Sequence, residues 1–154
     1  MNETNDIEKR TLTIKRTLKA PRKLVWEAWT QPEHIAHWWG PHGMKTTIRK
    51  HNFTVGGEWE YSMTMPDGKD FISHGIYSNI KVPELIETSA NFIPMTEGVT
   101  IVVSFIDAQE NTEFVFKVIH PTEAYCRQQE EMGFMNGWGS VFDGMERYLS
   151  TLAA

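Results

Sequence analysis

The side chains in this sequence whose types and spacing could do chemistry are mostly histidines and carboxylates. His34, His37 and His42 form an H-x2-H-x4-H run. His34 and His37 fall one helical turn apart, an offset at which two imidazoles can share a zinc ion. The glutamate of an HExxH motif is missing, so the run is read as helix-surface histidines and no metal is expected. His74, Glu87, Asn91 and His120 fall on or at the ends of predicted strands, where an inward-facing member would have a shifted pKa. His74 shares its parity with Ile72 and Ile76 and is expected to be buried, as a satisfied core histidine ahead of a catalytic one. Glu87 shares parity with Leu85, Ser89 and Asn91, which a solvated sheet face explains. Cys126 is the only cysteine and has no CxxC partner, so it is read as an inert, half-buried thiol. No Ser-His-Asp spacing, nucleophile elbow, P-loop or GxGxxG stands in the sequence. No catalytic residue and no cofactor is therefore assigned.

The elements that must position these groups follow from hydrophobic period. After a polar stretch over 1–10, expected to be a flexible tail, Leu12, Ile14 and Leu18 alternate with polar neighbours as in a half-buried strand. Pro21 suits the first turn of a helix, and Leu24, Val25, Ala28 and Trp29 recur at helical spacing. A second short helix starts near Pro32 and stops at Gly40-Pro41. Strands are then expected over Met44–Phe53, Trp59–Met65, Phe71–Ile80, Leu85–Phe92, Gly98–Ile106 and Thr112–Ile119. They are separated by Gly56-Gly57, Pro66-Asp67-Gly68, Pro83 and Pro94, residues suited to turns. Local turns between short strands predict an antiparallel meander. From about Glu130 to Leu152 one long helix is predicted. Phe134, Trp138, Val141, Met145, Tyr148 and Leu152 lie on a stripe about 140° wide, flanked by Met135, Phe142 and Leu149. Gly133, Gly137 and Gly144 lie at a border of that stripe. There they either admit a strand or leave open space.

Composition narrows the function classes. The 154 residues suit a single domain, expected over 11–152. Twenty acids against 15 Lys plus Arg give a net charge of −5, against a nucleic-acid surface. The cluster Lys45, Arg49 and Lys50 reads as a solvated face. No apolar run approaches the ~18 residues of a membrane span. With no signal-peptide pattern, the expected location is cytoplasmic. Six Trp, eight Phe and eight Met supply a large apolar load, enough for a filled core or a lined cavity.

The order strand, two short helices, strands and long helix carries particular residues. They are Ala20-Pro21, Val25-Trp26-Glu27-Ala28-Trp29-Thr30, Pro32-Glu33, Trp38-Trp39-Gly40-Pro41, Val55-Gly56-Gly57-Glu58-Trp59, Pro66-Asp67-Gly68, Val82-Pro83-Glu84 and Gly137-Trp138. With these residues, the sequence resembles the START-like (SRPBCC) superfamily. Within it, it is similar to the family named for the C-terminal domain of the activator of the heat-shock-protein-ninety ATPase. The resemblance spans about 11–152. It implies an α+β helix-grip (START-like, Bet v-like) fold, in which a curved antiparallel sheet wraps a long C-terminal helix around a cavity. Superfamily members bind lipids, sterols, polyketides or plant hormones there, and some are enzymes.

Three functions are carried forward. The first is binding of a small apolar or amphipathic ligand (lipid, sterol or polyphenol class). Trp59, Tyr61, Met63, Phe105, Phe116, Met135 and Trp138 would line the cavity, with His74 and Ser89 as its polar groups. The second is a module docking on a heat-shock chaperone through exposed Trp38 and Trp39. The third is an enzyme using His74 or Glu87 as acid–base group, which requires that side chain inside the cavity.

Overall fold

The computed structural model describes residues 7–39, 45–93 and 96–153. Its order is β1 (Thr11–Leu18), α1 (Arg22–Thr30), α2 (Pro32–Trp38), β2 (Lys45–His51), β3 (Glu58–Thr64), β4 (Asp70–Lys81), β5 (Leu85–Ile93), β6 (Thr96–Ala108), β7 (Asn111–Ile119), α3 (Glu123–Glu131) and α4 (Phe134–Ala153). The strands form one antiparallel sheet in the order β1-β7-β6-β5-β4-β3-β2. Strands β2 to β7 are thus a meander, and β1 pairs with β7 from Thr11 opposite Ile119 to Leu18 opposite Thr112. Register shifts at Ile48/Lys50, Tyr77/Asn79 and Ala90/Phe92 interrupt the ladders. Such bulges bend a strand, and here they help the sheet curl around α4.

Strands β3 to β7 each bury one face over most of their length. On β3 these residues are Trp59, Tyr61 and Met63, and on β7 they are Phe114, Phe116 and Val118. Helix α1 drops Val25, Trp26, Ala28 and Trp29 into the same interior. Helix α4 adds Phe134, Val141, Phe142, Met145 and Leu149, the stripe expected from its 3.6-residue period. Arg16 on β1 ties the helix down from outside the core. Its Nη1 donates to Asp143 Oδ1 at 2.8 Å and to Glu146 Oε2 at 2.6 Å, and its Nη2 donates to the Gly139 carbonyl at 3.1 Å.

One expectation needs correction. The single helix from Glu130 is in fact two. Thr122 caps α3 by accepting from Tyr125 N at 3.1 Å, and most of the segment Glu123–Glu131 that it starts precedes the predicted helix. Gly133, at φ +103°, then breaks the chain between α3 and α4. An L side chain resists that conformation, so the glycine marks a helix boundary rather than a weak point inside one. Residues 1–6 lie outside the described set, but Ile7–Arg10 make a turn. Arg10 Nη1 in that turn donates to the His120 carbonyl at 2.8 Å, and His120 N donates to the Arg10 carbonyl at 2.7 Å.

Candidate functional site

A cavity of about 270 Å³ lies between the first half of α4 and one end of the sheet. Met63, Phe92 and Val118 line it from the sheet, and Phe134, Trp138 and Val141 from α4. Trp39 lines it from the end of α2, and Met132 and Gly133 from the α3–α4 junction. Gly137 completes the helix wall. A Cβ placed on Gly133 or Gly137 would meet nothing within 4 Å. Those two glycines leave space beside the helix rather than admit a strand. At Gly144 and Gly139 the nearest neighbours are instead arginine side chains, Arg147 Nη2 at 3.7 Å and Arg16 Nη2 at 3.6 Å.

Three polar side chains interrupt this apolar lining: Thr96, His120 and Gln129. Thr96 Oγ1 donates to Gln129 Oε1 at 2.7 Å. His120 extends the inward alternation of β7, two residues beyond Val118, and is 1% exposed. Its ring stands edge-on to Tyr125 and Phe134 at 5.9 and 6.3 Å. Burial lowers its pKa, opposed by the carbonyls of Arg10 and Val118.

Of the nine side chains expected at the cavity, Met63 and Trp138 line it. Phe116 lies directly beneath Trp138, with ring centroids 4.7 Å apart. Trp59 and Tyr61 face inward but are screened from the cavity by Trp39, whose ring lies 5.8 and 5.2 Å from theirs. The space left behind Trp39 is about 20 Å³, roughly one water. Phe105 belongs to the far end of the core, 5.3 Å from Trp26. Met135 is 50% exposed, one residue and ~100° around the helix from Phe134.

His74 and Ser89 sit on the outer face of the sheet, and this reverses the expectation for them. Tyr61 pairs with Ser73 and Trp59 with Gly75. Since cross-strand partners share a face, Ser73, Gly75 and Tyr77 turn inward, and His74 points outward opposite Glu60. The isoleucines that suggested burial, Ile72 and Ile76, are themselves exposed. On β5 the inward residues are Ile86, Thr88 and Ala90, which leaves Glu87, Ser89 and Asn91 outside. Neither His74 nor Glu87 lies inside the cavity, so the acid–base enzyme reading fails its own condition. His74, Ser89 and Asn91 instead border a polar groove on the outer face, beside Lys50, Glu58 and Glu60.

The surface proposed for chaperone docking is also corrected. Trp38 is 3% and Trp39 7% exposed. Their indole N–H groups are used internally, by the Ala28 carbonyl at 2.8 Å and by Ser73 Oγ at 3.1 Å. A run of two large aromatics after a helix looks the same in sequence whether it caps a core or faces water.

Histidine geometry outside the cavity is structural. His34 Nδ1 lies 2.6 Å from the Tyr148 hydroxyl, and the His37 ring stacks on Tyr148 at 4.9 Å. His42 lies outside the described residues. No group of three metal-binding side chains occurs among the described residues. His51 bridges helix and sheet: Nε2 donates to the Thr30 carbonyl at 2.6 Å, so Nδ1 accepts from the Tyr61 hydroxyl at 2.9 Å. Burial pushes the phenol of Tyr61 up and that of Tyr77 to about 12. Both stay neutral near pH 7 and serve as packing and hydrogen-bonding groups. Burial also raises the Cys126 thiol, which suits an inert cysteine.

Among the described residues, no helix is long and apolar enough to cross a membrane. No curated protein matches the chain. Solved structures do. A protein from Arthrobacter aurescens is 25% identical, with a TM-score of 0.86, over 95% of this chain and 89% of that one. One from Nitrosomonas europaea is 26% identical, with a TM-score of 0.83, over 94% and 97%. An AHSA1-like protein from Aeromonas hydrophila shares the fold at 22% identity and a TM-score of 0.75, over 93% and 94%. Residues 19–150 match the family described as Activator of Hsp90 ATPase homolog 1-like protein. With its seven-stranded sheet gripping a C-terminal helix, the chain belongs to that family.

Proposed function

We propose that this protein binds a small apolar or amphipathic molecule between the sheet and α4. The observation that carries this reading is the 270 Å³ cavity itself, whose walls are apolar apart from Thr96, His120 and Gln129. Ligand pockets are commonly lined in this way, with many hydrophobic side chains and a few converging polar ones. The two glycines on the cavity wall fit the same reading. Gly137 disfavours helix by about 1 kcal/mol relative to Ala, and both glycines leave volume that a side chain would fill. Met63 and Met132 add adaptable surface.

The volume lies just below the ~300–1,000 Å³ typical of ligand pockets. A single ring, a fused pair of rings or a short acyl chain fits it better than a sterol. The test is an amide-shift titration of the isotope-labelled protein with a medium-chain fatty acid, a sterol and a flavonoid. Saturable shifts clustered on Met63, Phe92, Val118, Gly137 and Trp138 are expected for at least one of them. If all three leave those resonances unmoved, the binding reading is wrong.

A further inference from the structure

His120, on the cavity wall, carries a polar atom that the fold leaves unused and covers with neighbouring side chains. His120 Nε2 is a buried side-chain nitrogen with no hydrogen-bond partner among the described residues. Its ring partner Nδ1 lies 3.2 Å from the Arg10 carbonyl oxygen. A carbonyl can only accept, so Nδ1 carries the ring hydrogen. In a neutral imidazole, Nε2 is then a bare lone pair. Burial favours the neutral ring. The two main-chain and side-chain bonds between Arg10 and His120 hold the residue in place. Its position is therefore set by the fold, and its free nitrogen is an acceptor.

We propose that the cavity selects a small neutral hydroxyl compound, a phenol or alcohol, whose O–H donates to His120 Nε2 once the wall side chains covering that atom shift aside. Its apolar remainder lies against Met63, Phe92 and Trp138. This rests on the binding reading above and adds the chemical class. A ketone, ether or ester would set an acceptor against an acceptor. A carboxylate would enter a lining that holds no Lys or Arg among the described residues. An acceptor such as His120 Nε2 discriminates against the analogue lacking its complement, because binding that analogue leaves a buried polar atom unpaired.

The test compares 2-naphthol with 2-methoxynaphthalene, and 4-propylphenol with 4-propylanisole, by amide-shift titration. In each pair the hydroxyl compound is expected to bind about tenfold tighter, the effect of one such hydrogen bond. The imidazole 15N spectrum of the unmodified protein gives a second reading that needs no variant. On adding naphthol, the Nε2 signal of His120 should move in the direction of an accepted hydrogen bond while Nδ1 keeps its proton. In His120→Phe the preference should shrink to within about twofold. Equal affinities within each pair, with shifts at the cavity, overturn the hydroxyl inference and leave cavity binding standing. So does a hydroxyl preference that survives in His120→Phe or leaves the Nε2 signal unmoved. No cavity shifts with any of the four probes overturns the inference; the fatty-acid, sterol and flavonoid titration separately decides the binding reading.

Discussion

Gly133 and Gly137 face the same open space, yet alanine should act on them with opposite signs. At Gly137 the backbone is helical, its N–H donating to the Gly133 carbonyl at 2.9 Å in the first turns of α4. A methyl group there meets nothing within 4 Å. Gly137→Ala loses no contact, gains helix propensity and restricts the unfolded chain. The gain should be about 0.5–1 kcal/mol. At Gly133 the methyl also meets nothing, but φ is +103°. An L residue held there costs about 1–2 kcal/mol. In a chain of this length each kcal/mol moves the melting temperature by about 2–4 °C. Gly137→Ala should therefore melt about 1–4 °C higher than the parent, and Gly133→Ala about 2–8 °C lower. Urea denaturation should show matching midpoint changes at constant slope. Gly137→Leu should keep the helix gain while filling the cavity mouth, which would suppress ligand-induced amide shifts at Trp138. If Gly133→Ala is as stable as the parent, α3 and α4 are not separated by a left-handed residue. If Gly137→Ala is destabilised, the space beside that glycine is not open.

Three further outcomes follow from the geometry. His51 and His120 both have folded pKa values lowered by burial below the ordinary 6.5. The unfolded chain then binds more protons, so their contribution is full above about pH 6.5 and fades as pH falls through the folded values. Urea midpoints should drop between pH 7.5 and 5, and drop less in His51→Gln. Trp59→Phe removes the buried Nε1–H donated to Thr88 Oγ1 at 2.8 Å and leaves a small void, costing about 2 kcal/mol by denaturation. Arg16→Met breaks the partly exposed pairs to Asp143 and Glu146 and should cost about 1 kcal/mol, less at high salt.

Much of the scaffold was readable from one chain, because strands and amphipathic helices announce themselves by local period. The alternation through Trp59, Tyr61 and Met63, the alternation through Phe114, Phe116 and Val118, and the stripe of α4 all stand as the pattern predicts. Even misses such as α3 had a local signal, Thr122 at the N-cap followed by Glu123, with Gly133 past the end. The inward position of His120 was also latent in the parity of β7. The motif-bearing residues were enough to place the family.

Which face of a weakly patterned strand turns inward is a different kind of fact. On β4 the isoleucines and His74 share one parity, while Ser73, Gly75 and Tyr77 share the other. Hydrophobicity alone favours the wrong one. The face is decided by pairing with β3, where Trp59 and Tyr61 must be inward. The space over Gly75 is also taken, since a Cβ there would come within 2.8 Å of Trp59 Nε1. Likewise, composition specified a large aromatic interior but not its partition. Trp39 closes off Trp59 and Tyr61 and leaves the void beside Gly137. Local pattern carried the strands, α1, α2 and the buried stripe of α4, because those depend on neighbours three or four residues away at most. The tertiary structure alone decided where the interior stays open and which polar atom meets it, because that depends on side chains brought together from α2, α4 and both halves of the sheet.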